Sequence, residues 1–202
     1  MEYNDFYTTL DKELKQTDEG DDDSIYKFLN LDMGIDYTNE TIKELVELNP
    51  VHWIKEETFY FNGDTTYFEI PAIWHKIMSY YNATDSAWRI PAASNDMYAD
   101  VRAVSSRTLY FKTVKAKGDS TLFRASVYPP DIIQGSDTVP FPIQHMRFLR
   151  MSIIAKVLGR AGKYWNELMQ GEYLRKEHSF KMYGNDVKRG TRVSGRGAGF
   201  GC

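Results

Sequence analysis

The chain of 202 residues holds one cysteine, Cys202, so no intrachain disulfide can form. That excludes a small disulfide-stapled scaffold and fits assembly in a reducing compartment. Long apolar runs are also missing, whereas a membrane-spanning helix needs roughly 20 such residues. The opening MEYNDFYTTL has no basic stretch followed by an apolar one, so no secretory signal is expected. The reading is a soluble intracellular product without membrane contact. The four histidines (His52, His75, His145, His178) are scattered and lack metal-ligand spacing. No nucleophile elbow or phosphate-binding loop is present. TDEGDDD at 17–23 lacks the ligand order of a calcium loop. GRGAGFG near the end lacks the strand before it and the helix after it that a dinucleotide loop requires. No catalytic residue, cofactor or metal is expected, and His75 and His145, set among apolar residues, are read as packed side chains.

What the chain does have is buriable surface: 42% hydrophobic and 14% aromatic residues, enough for one elaborated domain with a real core. Its net charge of −3 conceals a gradient. Residues 1–60 carry sixteen Asp or Glu against five Lys or Arg, and residues 145–202 carry twelve Lys or Arg against four acids. Two readings follow: the ends contact charged partners or neighbouring copies, or they neutralise each other within one fold.

Periodicity orders the elements. Phe6, Leu10 and Leu14, four apart, predict a short amphipathic helix over 3–15. Phe28, Leu31, Ile35, Thr38, Ile42 and Leu45 predict a second helix over 24–48, capped by Ser24 or Asp23 and ended by Pro50. Gly34 is a weak point where that helix could break. TFYFNGDTTYFEIP then alternates around Asn62-Gly63, the strongest short hairpin signal. KIMSYYN and WRIP read as short strands, and SNDMYADVRAV as a small helix from Ser94. TLYFKTV and TLFRASVYPP, joined through Lys117-Gly118-Asp119, predict a second hairpin.

Four of seven prolines (Pro129, Pro130, Pro140, Pro142) stiffen the next connection. Each restricts its own φ and the residue before it, so this crossing loses little entropy on ordering. Ile143, Met146, Leu149, Ile153, Ile154, Val157 and Leu158 predict a third helix with a buried face, and Lys156, Arg160 and Lys163 lie on another. A fourth helix is expected through Tyr164, Trp165, Leu168, Met169 and Tyr173, with Gly171 marking a close helix crossing. The fold class is α+β: an antiparallel bundle of about four helices interrupted by a β-rich insertion, with a flexible C-terminal tail. The segments are 1–57 for helices one and two, 58–141 for the insertion, 142–182 for helices three and four, and 183–202 for a basic Gly-rich tail.

YTNETIKELVELNP (37–50), TTYFEIPAIWHKIMSYYN (65–82) and the stretch 127–178 beginning VYPPDIIQ follow one another in an order that resembles the head-to-tail adaptor (connector, or head-completion) proteins of tailed bacteriophages. The resemblance covers roughly residues 24–180. It implies a structural virion protein rather than an enzyme. Copies would form a homo-oligomeric ring, typically of twelve, beneath the portal protein at the head–tail interface (the neck) and assemble in the host cytoplasm. The ring would extend the DNA channel, present a platform to tail or nozzle proteins, and pass packaged DNA without sequence-specific binding. Such proteins often grip the portal with a C-terminal segment, and here Lys188, Arg189, Arg192, Arg196 and Phe200 are the expected anchors. Two alternatives stand beside it: a DNA-binding accessory protein whose basic tail tracks the backbone, and another neck component such as a stopper or tail-completion protein.

Overall fold

A computed structural model describes residues 1–17, 29–84, 86–163, 165 and 167–190, with side chains through Met182. The fold is α+β. It forms two compact units: Met1–Asn49 with the chain from Pro130 onward, and Pro50–Pro129. Among the described residues, all four α-helices belong to the first unit and all seven strands to the second. The β unit starts earlier than the sequence predicts, since β1 opens at Ile54.

In the helical unit, α1 (Tyr3–Thr17) buries Tyr3, Phe6, Leu10 and Leu14 at steps of three and four. Helix α2 (Leu31–Leu48) starts later than expected, because the Asn30 side chain accepts the Met33 N–H at 2.8 Å and caps the helix there. Ser24, Asp23 and Phe28, the expected cap and first stripe residue, lie outside the described residues. No break occurs at Gly34. A Cβ there would meet the Tyr3 hydroxyl at 2.6 Å and Tyr7 Cε2 at 2.9 Å, so glycine lets α1 lie against α2.

Helix α3 (Met146–Arg160) contacts α1, α2 and α4. Its buried face holds Met146, Phe148, Leu149, Met151, Ile153, Ile154, Val157 and Leu158. Ile143, expected on that face, instead stands in a 3-10 turn and is exposed. Cations of α3 meet partners on α1 and α2, among them Lys156 and Arg160 of the expected cationic face. Arg150 donates from Nε and Nη2 to both Glu13 carboxylate oxygens at 2.9 Å. Lys156 lies 2.8 Å from Glu44 and 3.6 Å from Glu40. Arg160 donates to the Tyr37 hydroxyl at 2.8 Å. Part of the charge gradient is therefore neutralised within one unit.

The proline-rich crossing ties this unit together. Tyr3 and Asn4 N–H, unsatisfied at the start of α1, donate to Asp137 and Gly135 carbonyls at 2.8 and 2.9 Å. Val139 N–H donates to the Met1 carbonyl at 3.0 Å. Asn39 of α2 donates to the Ile132 carbonyl and accepts its N–H, both at 2.9 Å.

The β unit has two sheets, in the order β1-β7-β3-β4 and β2-β6-β5, and every strand pair is antiparallel. The strands are β1 (Ile54–Tyr60), β2 (Thr65–Glu69), β3 (Trp74–Asn82), β4 (Ala87–Arg89), β5 (Val101–Ala103), β6 (Thr108–Lys115) and β7 (Ser120–Val127). Neither expected hairpin is a paired hairpin. β1 pairs β7, from Ile54↔Ser126 to Tyr60↔Ser120, and β2 pairs β6, from Thr65↔Lys115 to Glu69↔Thr108. The two Gly-containing turns are instead paired halves of one corner: Phe61 N–H donates to Asp119 O, and Gly118 N–H returns to Phe61 O, both at 2.8 Å. A long two-stranded ribbon thus bends from one sheet into the other, and Gly118 takes φ +91° at the bend.

Aromatic burial explains the switch. Phe59, Phe61, Phe68, Trp74, Phe111 and Phe123 pack together, with Phe68 stacked on Phe123 at 5.0 Å between centroids. A local hairpin would leave only one sheet to cover them. Residues 94–100 form turns, not the expected small helix. Arg107 secures the β2–β3 connection by donating to the carbonyls of Ile70, Pro71 and Trp74 at 2.7–3.0 Å.

Two glycine substitutions of opposite sign contrast the crowded α1–α2 approach with the open side of α4. Gly34→Ala should destabilise by about 1–3 kcal/mol through overpacking against two tyrosines. Gly171→Ala, with nothing within 4 Å of the new methyl, should stabilise by about 0.5–1 kcal/mol; urea denaturation reads both. Arg107→Ala should cost about 2–4 kcal/mol, because buried carbonyls lose a charged donor, and a midpoint within experimental error of the parent would refute that role.

Candidate functional site

The residues expected to bind a partner sit at and beyond the end of α4 (Glu167–Gly190). The fourth helix begins at Glu167, so Trp165 precedes it, with its ring 5.1 Å from Tyr173. It runs on to Gly190, which corrects the tail boundary at 183. YGNDVKRG would not form a helix alone, but extending an existing helix carries no nucleation cost. Lys188 and Arg189 are therefore on helical backbone. Arg192, Arg196, Phe200 and the expected flexible tail lie outside the described residues.

The anchor of α4 is Phe180, a residue that sequence periodicity did not single out. It is fully buried, stacks on Phe141 at 5.9 Å and 12°, and meets His145 edge-on at 5.3 Å and Phe148 at 5.2 Å. Its carbonyl accepts the Asn49 side-chain amide at 2.6 Å. Tyr173 adds a ring contact to Phe148 at 5.5 Å, and Arg147 reaches Glu172 at 2.9 Å. Along the other side, Leu168 is 85% and Leu174 54% exposed. Among the described residues, Gly171 marks no helix crossing.

His145 is a packed histidine, as expected. Burial among these rings pushes its pKa below the ordinary value of 6.5, and nearby Lys176 acts in the same direction. His75 is only partly buried, and its Nδ1 lies 2.9 Å from the Tyr128 hydroxyl. Among the described residues, no group of three His, Cys, Asp or Glu could hold a metal ion.

Three further surfaces belong to the β unit. The loop after β4 leaves Ile90, Met97 and Tyr98 79%, 76% and 90% exposed. The outer face of the three-stranded sheet carries a row across β2, β6 and β5: Tyr67 edge-on to Tyr110 at 5.4 Å, and Arg102 over the Tyr110 ring at 4.5 Å. A polar cleft of about 400 Å³ is lined by Asn82, Arg89, Asp100, Lys115 and Thr121. The exposed apolar loop and α4 can bury surface against another molecule, and the Tyr–Arg row can stack on planar groups.

No protein-family model matches the chain, and no curated protein matches it.

The His145 environment sets a pH dependence. With the native pKa below the unfolded value, the unfolded chain takes up the proton first as pH falls. The contribution is complete above about pH 6.5 and is lost as pH drops from there to the native pKa. His145→Phe should show a smaller fall in urea midpoint between pH 8 and pH 5.5 than the parent; equal falls would assign the acid sensitivity elsewhere.

Proposed function

We propose that this chain is a structural assembly protein, the adaptor ring that joins portal to tail in a bacteriophage neck. The observation carrying this reading is the set of large apolar side chains left in water on both units: Ile90, Met97 and Tyr98 on one, Ile133, Ile143 and Leu168 on the other. Large apolar side chains left in water can bury their surface against another molecule. Support also comes from the element order, helices at both ends around a β unit, which is the order on which the resemblance rests. In this reading the end of α4 and the residues after it, Lys188, Arg189, Arg192, Arg196 and Phe200, attach to the portal protein. Tail or nozzle proteins meet the remaining exposed surface, and DNA passes through without sequence-specific contact.

The test is co-sedimentation of the chain with the portal protein of the same virus, followed by imaging of any complex. A ring on one end of the portal is expected, and a folded chain that fails to bind would sink the reading. Deleting residues 183–202 removes only residues that follow Phe180, the last buried side chain described. The shortened chain should keep its thermal midpoint and lose portal attachment by at least about tenfold.

A second reading, a nucleic-acid-binding accessory protein, is favoured by the Tyr67–Tyr110–Arg102 row. An exposed ring (Tyr67) and a half-buried one (Tyr110) beside a guanidinium suit base stacking. Binding to a single-stranded oligonucleotide that weakens steeply with salt, and is lost in Tyr110→Ala, would favour it over the adaptor.

A further inference from the structure

Helix α4 meets its own unit along one side. At 100° per residue, Tyr173 and Phe180 share the side packed on α3, whereas Leu168, Gly171, Leu174, His178 and Met182 fall opposite. Leu168, Leu174 and Met182 are all exposed, and nothing lies within 4 Å of a Cβ built on Gly171. A glycine centred among exposed apolar side chains gives room for a second backbone to come close. Arg175 falls within the stripe, where its Nε donates to the Gly171 carbonyl at 3.3 Å, and Lys181, paired with Glu177 at 2.6 Å, borders it; between Gly171 and Met182 the stripe carries no acid.

Helix α2 presents the complementary surface. Its outward side carries Asp32, Asp36, Glu40, Glu44 and Glu47, all exposed, with one cation among them, Lys43, held by Asp131 at 2.8 Å, and the exposed apolar residues Met33 and Leu48 near its two ends. Lys156 reaches only Glu40 and Glu44, and among the described residues neither Asp32 nor Asp36 forms an ion pair. The dimensions also agree. Met33 and Leu48 stand about 22 Å apart along the α2 axis, and Leu168 and Met182 about 21 Å apart along α4, at 1.5 Å per residue.

We infer that the outer face of α4 in one copy docks on the acidic outer face of α2 in a second copy of this chain. The inference rests on the assembly reading above and names the surfaces that the copies use. A second copy is the occupant because the surface complementary in charge and length is on this same chain. The segment after Gly190 is itself basic, with Arg192 and Arg196, and offers no acid to Arg175 or Lys181. Because the two faces differ, repeating the contact in one direction closes a ring or extends a filament, whereas a reciprocal exchange of both faces closes a twofold dimer.

Sedimentation velocity on the full chain, from low micromolar to about 500 µM, tests this. Wild type should assemble with rising concentration. Gly171→Trp with Leu174→Ser, which blocks the α4 face, should raise the concentration for half-assembly at least about tenfold. Asp36→Lys with Glu47→Lys, which reverses the α2 face, should do the same, and circular dichroism verifies that both variants are folded. Mixed in equal amounts, the two variants retain one good face each and should form a 1:1 heterodimer and nothing larger. A wild type that stays monomeric throughout, a variant that assembles like wild type, or a mixture that stays monomeric would each overturn the inference. Portal co-sedimentation run in parallel separates the two readings. Portal attachment without self-assembly through these faces sinks this inference alone, and self-assembly without portal attachment sinks the adaptor.

Discussion

Asn39 and Ile132 exchange two hydrogen bonds of 2.9 Å, and the helical unit depends on that exchange and its neighbours. The first two helices and the last two are separated in sequence by the whole β unit, so their apolar stripes meet only if the returning chain is held in register. Residues 130–142 supply the register. They pair with α2 through Asn39, satisfy the first N–H groups of α1, and deliver Ile132, Val139 and Phe141 into the core. Asp137 fixes the turn at its centre by accepting the N–H groups of Ile133 and Gln134, and these bonds hold its carboxyl below the usual range. Stiffening by four prolines lowers the entropy lost when such a long connection orders.

With that register set, α3 serves as the shared helix. Its apolar face takes α1 and α2, and its aromatic residue Phe148 takes α4 through Tyr173 and Phe180. Its cations reach the acids of α1 and α2, most directly in the two-point contact between Arg150 and Glu13, where Arg150 is largely buried. A guanidinium in such a site needs a planar carboxylate partner. The same pairing explains how a chain with strongly acidic and basic ends folds without large internal repulsion. What remains exposed is selective: the acidic ridge of α2 and the apolar, basic-bordered stripe of α4.

The β unit is organised by its aromatic residues. A bent ribbon places Phe59 and Phe61 of one arm against Phe68 and Phe111 of the other sheet, with rings 4.6 to 5.6 Å apart. Charged and aromatic side chains also brace the outer faces. Arg124 bonds Glu56 on the neighbouring strand and lies 3.9 Å from the Trp88 ring centre, so its contacts reach from β1 to β4 across the four-stranded sheet.

The sequence by itself determined the α+β class, the order of four helices around a β-rich segment, and most of the helical core. Those follow from the spacing of Phe6, Leu10 and Leu14, or Leu149, Ile153 and Val157, and a period of 3.6 needs no knowledge of what lies opposite. Strand partners were another matter. Asn62-Gly63 and Lys117-Gly118-Asp119 specify a change of direction, but local turn chemistry does not say whether the arms pair with each other or cross to a second sheet. Only the shared burial of six aromatic rings decided that. Phe180, Arg107 and Asn49 escaped notice for the same reason: each acts on a backbone carbonyl or ring distant in sequence, so its neighbours in the chain carry no sign of its role. The end of α4 shows the limit from the other side. Its basic residues were legible as a cluster, and their place on a continuing helix was not, because a helix already nucleated carries residues that would never start one.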